Sequence, residues 1–186
     1  MTAQSAVAFR EAAGGLEGLL LREEDESDLP FLIDLYASTR ADELARVPWP
    51  EAQKRAFLEH QFALQREQYR QHYPGAEWLV LERDGAPVGR LYLRRGGDEV
   101  RLMDIALVTT LRGTGLGTLL TQRLLQWADA LGVAVSLHVE PFNPAYRMYR
   151  RFGFAYVRST GVYHFLQRPV GAPVQPDQTS PLPRPG

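Results

Sequence analysis

The sequence predicts a mixed α/β (α+β) domain, and three observations carry that reading. Strand-like and helix-like runs succeed one another without a break between residues 19 and 168. Three strand-like runs are joined by short turns at Asp84-Gly85 and Gly96-Gly97-Asp98, the chemistry of an antiparallel meander. The stretch "LMDIALVTTLRGTGLGTLLTQRLLQWADALG", Leu102 to Gly132, places an apolar strand, a loop with three glycines and an amphipathic helix in one run. At 186 residues the chain suits a single domain with one sizeable core.

The elements follow in order. Residues 1–18 are small and polar with a glycine pair and read as a flexible N-terminal arm. "LEGLLLRE" is a short first strand. In "DESDLPFLIDLYASTRADEL", Leu29, Leu32, Ile33, Leu35 and Tyr36 recur at helical spacing behind Ser27 or Asp28 as a cap. "RVPWP" breaks the chain, and Pro50 with Glu51 opens a second helix that runs to about His72 and stops at "YPGA". This helix carries Gln61, Gln65, Gln68 and Gln71 beside Phe57, Phe62 and Tyr69; it reads as a solvated helix with aromatic anchors, with a wall lining a ligand site as the alternative.

The meander strands are "EWLVLER", "APVGRLYLRR" and "EVRLMDIALV". After the glycine loop, Leu116, Leu119, Leu120, Leu124, Trp127, Ala128 and Leu131 form one apolar stripe, and Gly132 stands where a helix ends. A buried strand "VAVSLHVE", the helical "NPAYRMYRRFGF" and two strand-like runs, "AYVRST" and "VYHFLQR", complete the domain. Residues 169–186 hold six of the thirteen prolines and no apolar periodicity, which predicts a Pro-rich disordered tail.

Composition excludes several function classes. Net charge is -1 and pI about 6.4, so no basic excess awaits a nucleic acid. With no cysteine, disulfides, thiolate nucleophiles and cysteine metal sites drop out together; no metal is expected, and a reducing cytoplasm is the expected compartment. The N-terminus lacks the basic start and apolar core of a secretory signal, and no apolar run is long enough to span a membrane.

The glycine loop poses the functional question. A Walker A loop requires a lysine that is absent near Gly117, and a dinucleotide fingerprint requires a glycine where Thr118 stands. What remains is Arg112-Gly113-Thr114-Gly115-Leu116-Gly117, bare backbone at a helix start, suited to a pyrophosphate approaching amide hydrogens and the positive end of the helix dipole. This run resembles the acyl-coenzyme A binding motif Q/R-x-x-G-x-G/A of the GNAT superfamily of N-acetyltransferases. The segment "NPAYRMYRRFGF" is similar to the second motif of that family, N-x-x-A-x-x-L-Y-x-x-x-G-F, with Asn143 and Tyr149 six apart in place of seven. The element order of residues 19–168 matches the family throughout.

The resemblance implies a mixed, mostly antiparallel central sheet flanked by helices and splayed between its fourth and fifth strands. It implies an enzyme that transfers acetyl from acetyl-CoA to a primary amine, on a small molecule or a protein, by direct attack; a catalytically silent acyl-CoA-binding sensor is the alternative. The cofactor would lie along Ala106, Leu107 and Val108, with its pyrophosphate on Arg112, Gly113, Thr114, Gly115, Leu116, Gly117, Thr118 and Leu119, and a contact to Asn143. Tyr149 would protonate the leaving thiolate. His138 stands where the family often has a glutamate base, with Glu140, Asp104 or a water as alternatives. The acceptor would enter past "STRADELARVPW", where Arg40, Glu43 and Trp49 are the candidate contacts. The same resemblance makes a homodimer an expectation.

Overall fold

The computed structural model describes residues 8–12 and 18–174 of the protein. Its strands are β1 (Leu19–Glu23), β2 (Glu77–Arg83), β3 (Ala86–Gly96), β4 (Glu99–Leu107), β5 (Ala134–Val139), β6 (Ala155–Thr160) and β7 (Tyr163–Arg168). They form one sheet in the order β1-β2-β3-β4-β5-β7-β6. Every neighbouring pair is antiparallel except β4 and β5, which run parallel. The helices are α1 (Phe9–Ala12), α2 (Leu29–Thr39), α3 (Ala41–Ala45), α4 (Glu51–His72), α5 (Leu116–Leu131) and α6 (Tyr146–Arg151).

Strand alternation sorts the sheet into two faces. Leu79, Leu81, Leu91, Leu93, Val100, Leu102, Val135, Leu137 and Leu166 meet the stripe of α5, Leu116, Leu120, Leu124 and Ala128, in the larger core. Val80 points the other way and joins Leu32, Tyr36, Leu58 and Phe62 of α2 and α4 in the smaller one. The second face also carries charge: Arg90 of β3, 2% exposed, donates to Asp104 of β4 at 2.7 Å under the ring faces of Phe62 and Tyr92. Glu24 ties α4 to the sheet, accepting from Arg66, from Arg70 at 2.7 Å and from the Tyr92 hydroxyl at 2.7 Å.

Three boundaries differ from the sequence reading. Part of the expected arm is packed: Phe9 is completely buried, its ring edge-on to Trp127 at 5.4 Å, because a single aromatic finds a socket that no periodicity announces. The rest of that arm, residues 1–7 and 13–17, lies outside the described residues. The first long helix breaks at Arg40, so that "ADELA" forms α3 by itself. Its cap also differs. Asp25 caps a short 3-10 turn in a reciprocal box with Asp28, and the Asp28 carboxylate takes two bonds from Arg22, each at 2.7 Å.

At the other end, packing continues past residue 168. Arg168 is 3% exposed and forks onto Asp129 at 2.8 and 3.0 Å, while Gly171 donates to the same carboxylate at 2.8 Å. The tail from residue 175 onward lies outside the described residues. No helix of the described residues is long and apolar enough to cross a membrane.

The Arg168–Asp129 pair yields a stability prediction. Hydrogen bonding from Arg168 holds the Asp129 carboxyl below its ordinary value. A depressed folded pKa means the stabilisation is complete above the unfolded value of about 4 and is lost as pH falls through the folded one. Asp129→Asn is expected to cost about 2 kcal/mol at pH 7, below the ~3–5 typical of a fully buried pair because the carboxylate keeps some solvent contact. Urea denaturation of both proteins checks this, and the gap between them should narrow as pH is taken below about 4.

Candidate active site

The glycine loop links β4 to α5 through a 3-10 turn, Thr109–Leu111. Gly113 and Gly115 have φ of +74° and +89°, which a side chain would strain, and Gly115 takes the helix cap position with no side chain to offer. The first helical bond there runs from the Leu119 amide to the Gly115 carbonyl at 3.0 Å, so the amides of Leu116, Gly117 and Thr118 have no partner inside the helix. Gly117 has neither a positive φ nor crowding: a Cβ there would meet only the tip of Leu107, at 4.0 Å. Folding gives no reason for glycine at that position, whereas a ligand lying against the backbone does.

The loop is braced from behind. Arg112 donates from Nε to the Leu107 carbonyl at 2.9 Å, and from its two terminal nitrogens to the Ser38 carbonyl at 3.2 Å and hydroxyl at 2.6 Å. Its guanidinium therefore anchors the loop to the end of α2 and does not lie over the glycines. Thr114 and Thr118 are also engaged, with the Leu111 carbonyl at 2.8 Å and the Met148 sulfur at 3.3 Å. Leu116 is buried and Leu119 half-exposed. The groups at this loop free to meet an anion are backbone amides.

Beside the loop the sheet opens. Parallel pairing of β4 with β5 ends at Leu102–Leu137, yet β4 continues to Leu107 and β5 to Val139. Met103 bulges at that point, since Tyr92 faces Asp104 and Leu93 faces Leu102. Val108 donates to the Val88 carbonyl at 2.9 Å, so by the alternation of an antiparallel ladder the amides of Ile105 and Leu107 point away from β3, into the gap. The side chains of Ala106 and Leu107 stay buried.

The gap holds a cavity of about 240 Å³ lined by Asp104, Ala106, His138, Glu140, Asn143 and Tyr149, with Arg40 and Glu43 at its rim. A second cavity of about 480 Å³ lies between α4 and the sheet and shares Tyr36, Gln65, Tyr69, His138 and Tyr163 with the first. The two adjoin along these residues and together make up the cleft. Gln61 and Gln68 line it too, so the face of α4 that read as solvated is a wall of the site.

The candidate residues differ in what they are free to do. Tyr149 sits on α6, whose start is set by the Asn143 side chain accepting from the Ala145 amide at 2.9 Å and whose end is set by Gly153, φ +87°. A Cβ at Gly153 would stand 3.0 Å from that of Ala172, so glycine is needed there twice over. The Tyr149 ring is 5% exposed and packs edge-on to Phe154, and its hydroxyl makes no hydrogen bond among the described residues. Burial and then the Asp104 charge push its pKa well above the ordinary 10, so it keeps its proton at neutral pH.

His138 lies against Phe165 with ring centroids 5.2 Å apart. Burial, followed by the charges of Arg101 and Arg158, lowers its pKa, leaving the imidazole neutral at pH 7. Glu140 lies 3.7 Å from Arg40, which also holds Glu43 at 3.0 Å. Asp104 is bound to Arg90. Trp49 lines neither cavity; it packs edge-on to Phe57 at 5.5 Å, away from the cleft, so the acceptor role expected of it has no geometric basis here. Sequence reading missed Arg90, Tyr36 and Tyr163. For Arg90 the signal was available, as a charged residue at an inward strand position between Gly89 and Leu91.

Residues 35–154 match the acetyltransferase (GNAT) family. The chain belongs to that family. Solved structures of the same fold include the PaiA N-acetyltransferase from Thermoplasma acidophilum in complex with coenzyme A, at TM-score 0.61 and 16% identity, covering 82% of this chain and 99% of that one. The ribosomal-protein-S18-alanine N-acetyltransferase from Escherichia coli aligns at TM-score 0.55 and 19% identity over 82% of this chain and 94% of its own. An acetyltransferase from Thermus thermophilus aligns at TM-score 0.57 and 21% identity over 83% of this chain and 98% of its own. No curated protein matches the sequence. Among the described residues no group of three or more histidine or acidic side chains could hold a metal.

Because Gly117 has room for a side chain, folding and binding should separate there. Gly117→Val is expected to leave thermal unfolding within a few degrees of wild type while weakening coenzyme A at least ~10-fold, since the branched side chain occupies the approach to the helix amides. Calorimetric titration of coenzyme A beside a melting curve checks both halves.

Proposed function

We propose that this GNAT-family chain is an N-acetyltransferase that moves acetyl from acetyl-CoA to a primary amine by direct attack. The observation that carries the reading is the coincidence, at one parted strand pair, of unpaired helix-start amides, a buried phenol with a free hydroxyl and a neutral imidazole. Acetyl-CoA supplies the acetyl thioester, and the residues present suit it. Amides of Leu116, Gly117 and Thr118 would receive its diphosphate, the β4 edge at Ile105 would pair with its amides, and Asn143 lines the cavity that would take its thioester end.

In the overall reaction a C–N bond forms, the thioester C–S bond breaks, one proton leaves the amine and one joins the departing sulfur. The chain's residues serve these demands in turn. The Leu107 amide is the donor available to the developing negative charge on the carbonyl oxygen. Tyr149 is protonated at neutral pH and its hydroxyl has no acceptor among the described residues, so it is the group placed to donate to the departing sulfur. His138, neutral at pH 7, can take the amine's proton directly or through a water. It is favoured over Glu140 and Asp104, because those carboxylates already face Arg40 and Arg90.

Two measurements test the assignment. Tyr149→Phe is expected to lower kcat roughly 10²-fold while the Kd for acetyl-CoA stays within about twofold; unchanged turnover would remove Tyr149 from the chemistry. For His138 the sign is fixed by its lowered pKa: kcat/KM should fall on the acid side only below about 6.5, and His138→Gln should abolish that limb. Binding of acetyl-CoA with no thiol release across an amine panel at several pH values would favour a silent sensor.

A further inference from the structure

The cleft has free cationic capacity at one end only. Arg40 and Arg90 are matched by Glu43, Glu140 and Asp104 around the smaller cavity. On the same sheet face, Arg101 of β4 and Arg158 of β6 form no ion pair with any described residue. They are held instead by Phe165, with guanidinium carbons 5.0 and 4.4 Å from its ring centroid. Strand register puts these groups in a row: Arg158 faces Phe165, Phe165 faces His138, and Arg101 faces Ser136, two residues before His138. Arg101 is steadied by one bond to the Ser136 hydroxyl at 3.2 Å.

Arg101 and His138 both line the larger cavity, and Arg158, exposed on β6, joins the row through the Phe165 ring that it shares with Arg101. The carboxylate that opposes their charge at His138, Glu99, accepts a bond from Gln167 at 3.3 Å and pairs with neither. A guanidinium stacked on an aromatic face keeps its N–H edge available and loses little freedom when a carboxylate docks on it. Acidic groups thus surround one side of His138, and on its other side stand two guanidiniums that no described carboxylate pairs with, Arg101 in the cavity wall and Arg158 on the neighbouring exposed strand.

We propose that Arg101 and Arg158 form an anion subsite, and that the acceptor is a small amine bearing a carboxylate on the same molecule. This rests on the acetyl-transfer reading of the cleft. The amine lies toward His138 and the acidic residues, and the carboxylate toward the arginines, so the ends of the acceptor are sorted by charge before any shape selection.

The test uses the full chain with matched acceptors, phenylalanine against phenethylamine and 4-aminobutyrate against butylamine. Each is titrated calorimetrically onto protein saturated with coenzyme A and assayed in parallel for thiol release from acetyl-CoA. The carboxylate-bearing member of at least one pair should bind ~10-fold or more tightly than its counterpart. The Arg101→Gln, Arg158→Gln double variant should erase that preference while the affinity of the amine without a carboxylate and the KM for acetyl-CoA stay unchanged. Equal affinity within both pairs for the wild-type protein, which requires no variant to fold, overturns the subsite, as does a preference that survives the double substitution. The two readings fail separately: selective carboxylate binding without thiol release keeps the subsite and refutes transfer, whereas thiol release with no selectivity keeps transfer and refutes the subsite.

Discussion

The site depends on one event in the sheet, the parting of β4 from β5 after Leu102–Leu137. A parallel pair inside a covered sheet would ordinarily continue to the strand ends, because unmade backbone bonds are costly once removed from water. Here β3 keeps β4 paired through the Met103 bulge and β7 keeps β5 paired as far as Val139, so each strand retains its outer neighbour while the inner edges separate. The result is a wedge with unpaired amides on one wall and Tyr149 in its lining, and β4 leads from it through the glycine loop into α5. Had the ladder closed, there would be neither a cavity nor an edge for a ligand to complete.

The polar groups around the wedge follow a single logic. Three buried charges around the sheet are paired: Arg90 with Asp104, Glu24 with Arg66 and Arg70, Arg168 with Asp129. These pairs cost desolvation and gain geometry, fixing α4 over the sheet and the chain end under α5. The Tyr149 hydroxyl and His138, which have no such partners, line the wedge, and the unpaired helix-start amides follow at the end of β4. Arg112 illustrates the division. Its sequence position suggests phosphate binding, but its side chain serves the scaffold and leaves the anion to the backbone.

Most of the fold was legible in the sequence because it is written in local chemistry. Asp84-Gly85 dictates one hairpin, Gly132 at φ +71° ends α5, and the α5 stripe matches the observed core. The GNAT resemblance named Tyr149, His138 and the glycine loop; Tyr149 and His138 line one cavity, and the loop follows the unpaired end of β4 beside it. Illegible were features fixed by long-range packing. Phe9 in its Trp127 socket, the break at Arg40 and the outward excursion of Trp49 each depend on neighbours far along the chain. The glutamine face of α4 was ambiguous for a related reason, since a helix facing a polar cleft and one facing solvent carry the same residues. The row from Arg101 to Arg158 spans four strands and appears only once register is known.

The central claim, that the parted strands and the bare helix start together receive a coenzyme A thioester, is tested most directly by amide-resolved NMR on the isotopically labelled full chain titrated with coenzyme A. The account predicts that the largest shifts fall on the amides of Gly113 to Thr118 and on Ile105 and Leu107. Saturable binding that leaves those amides unmoved, or no binding at all, would contradict it.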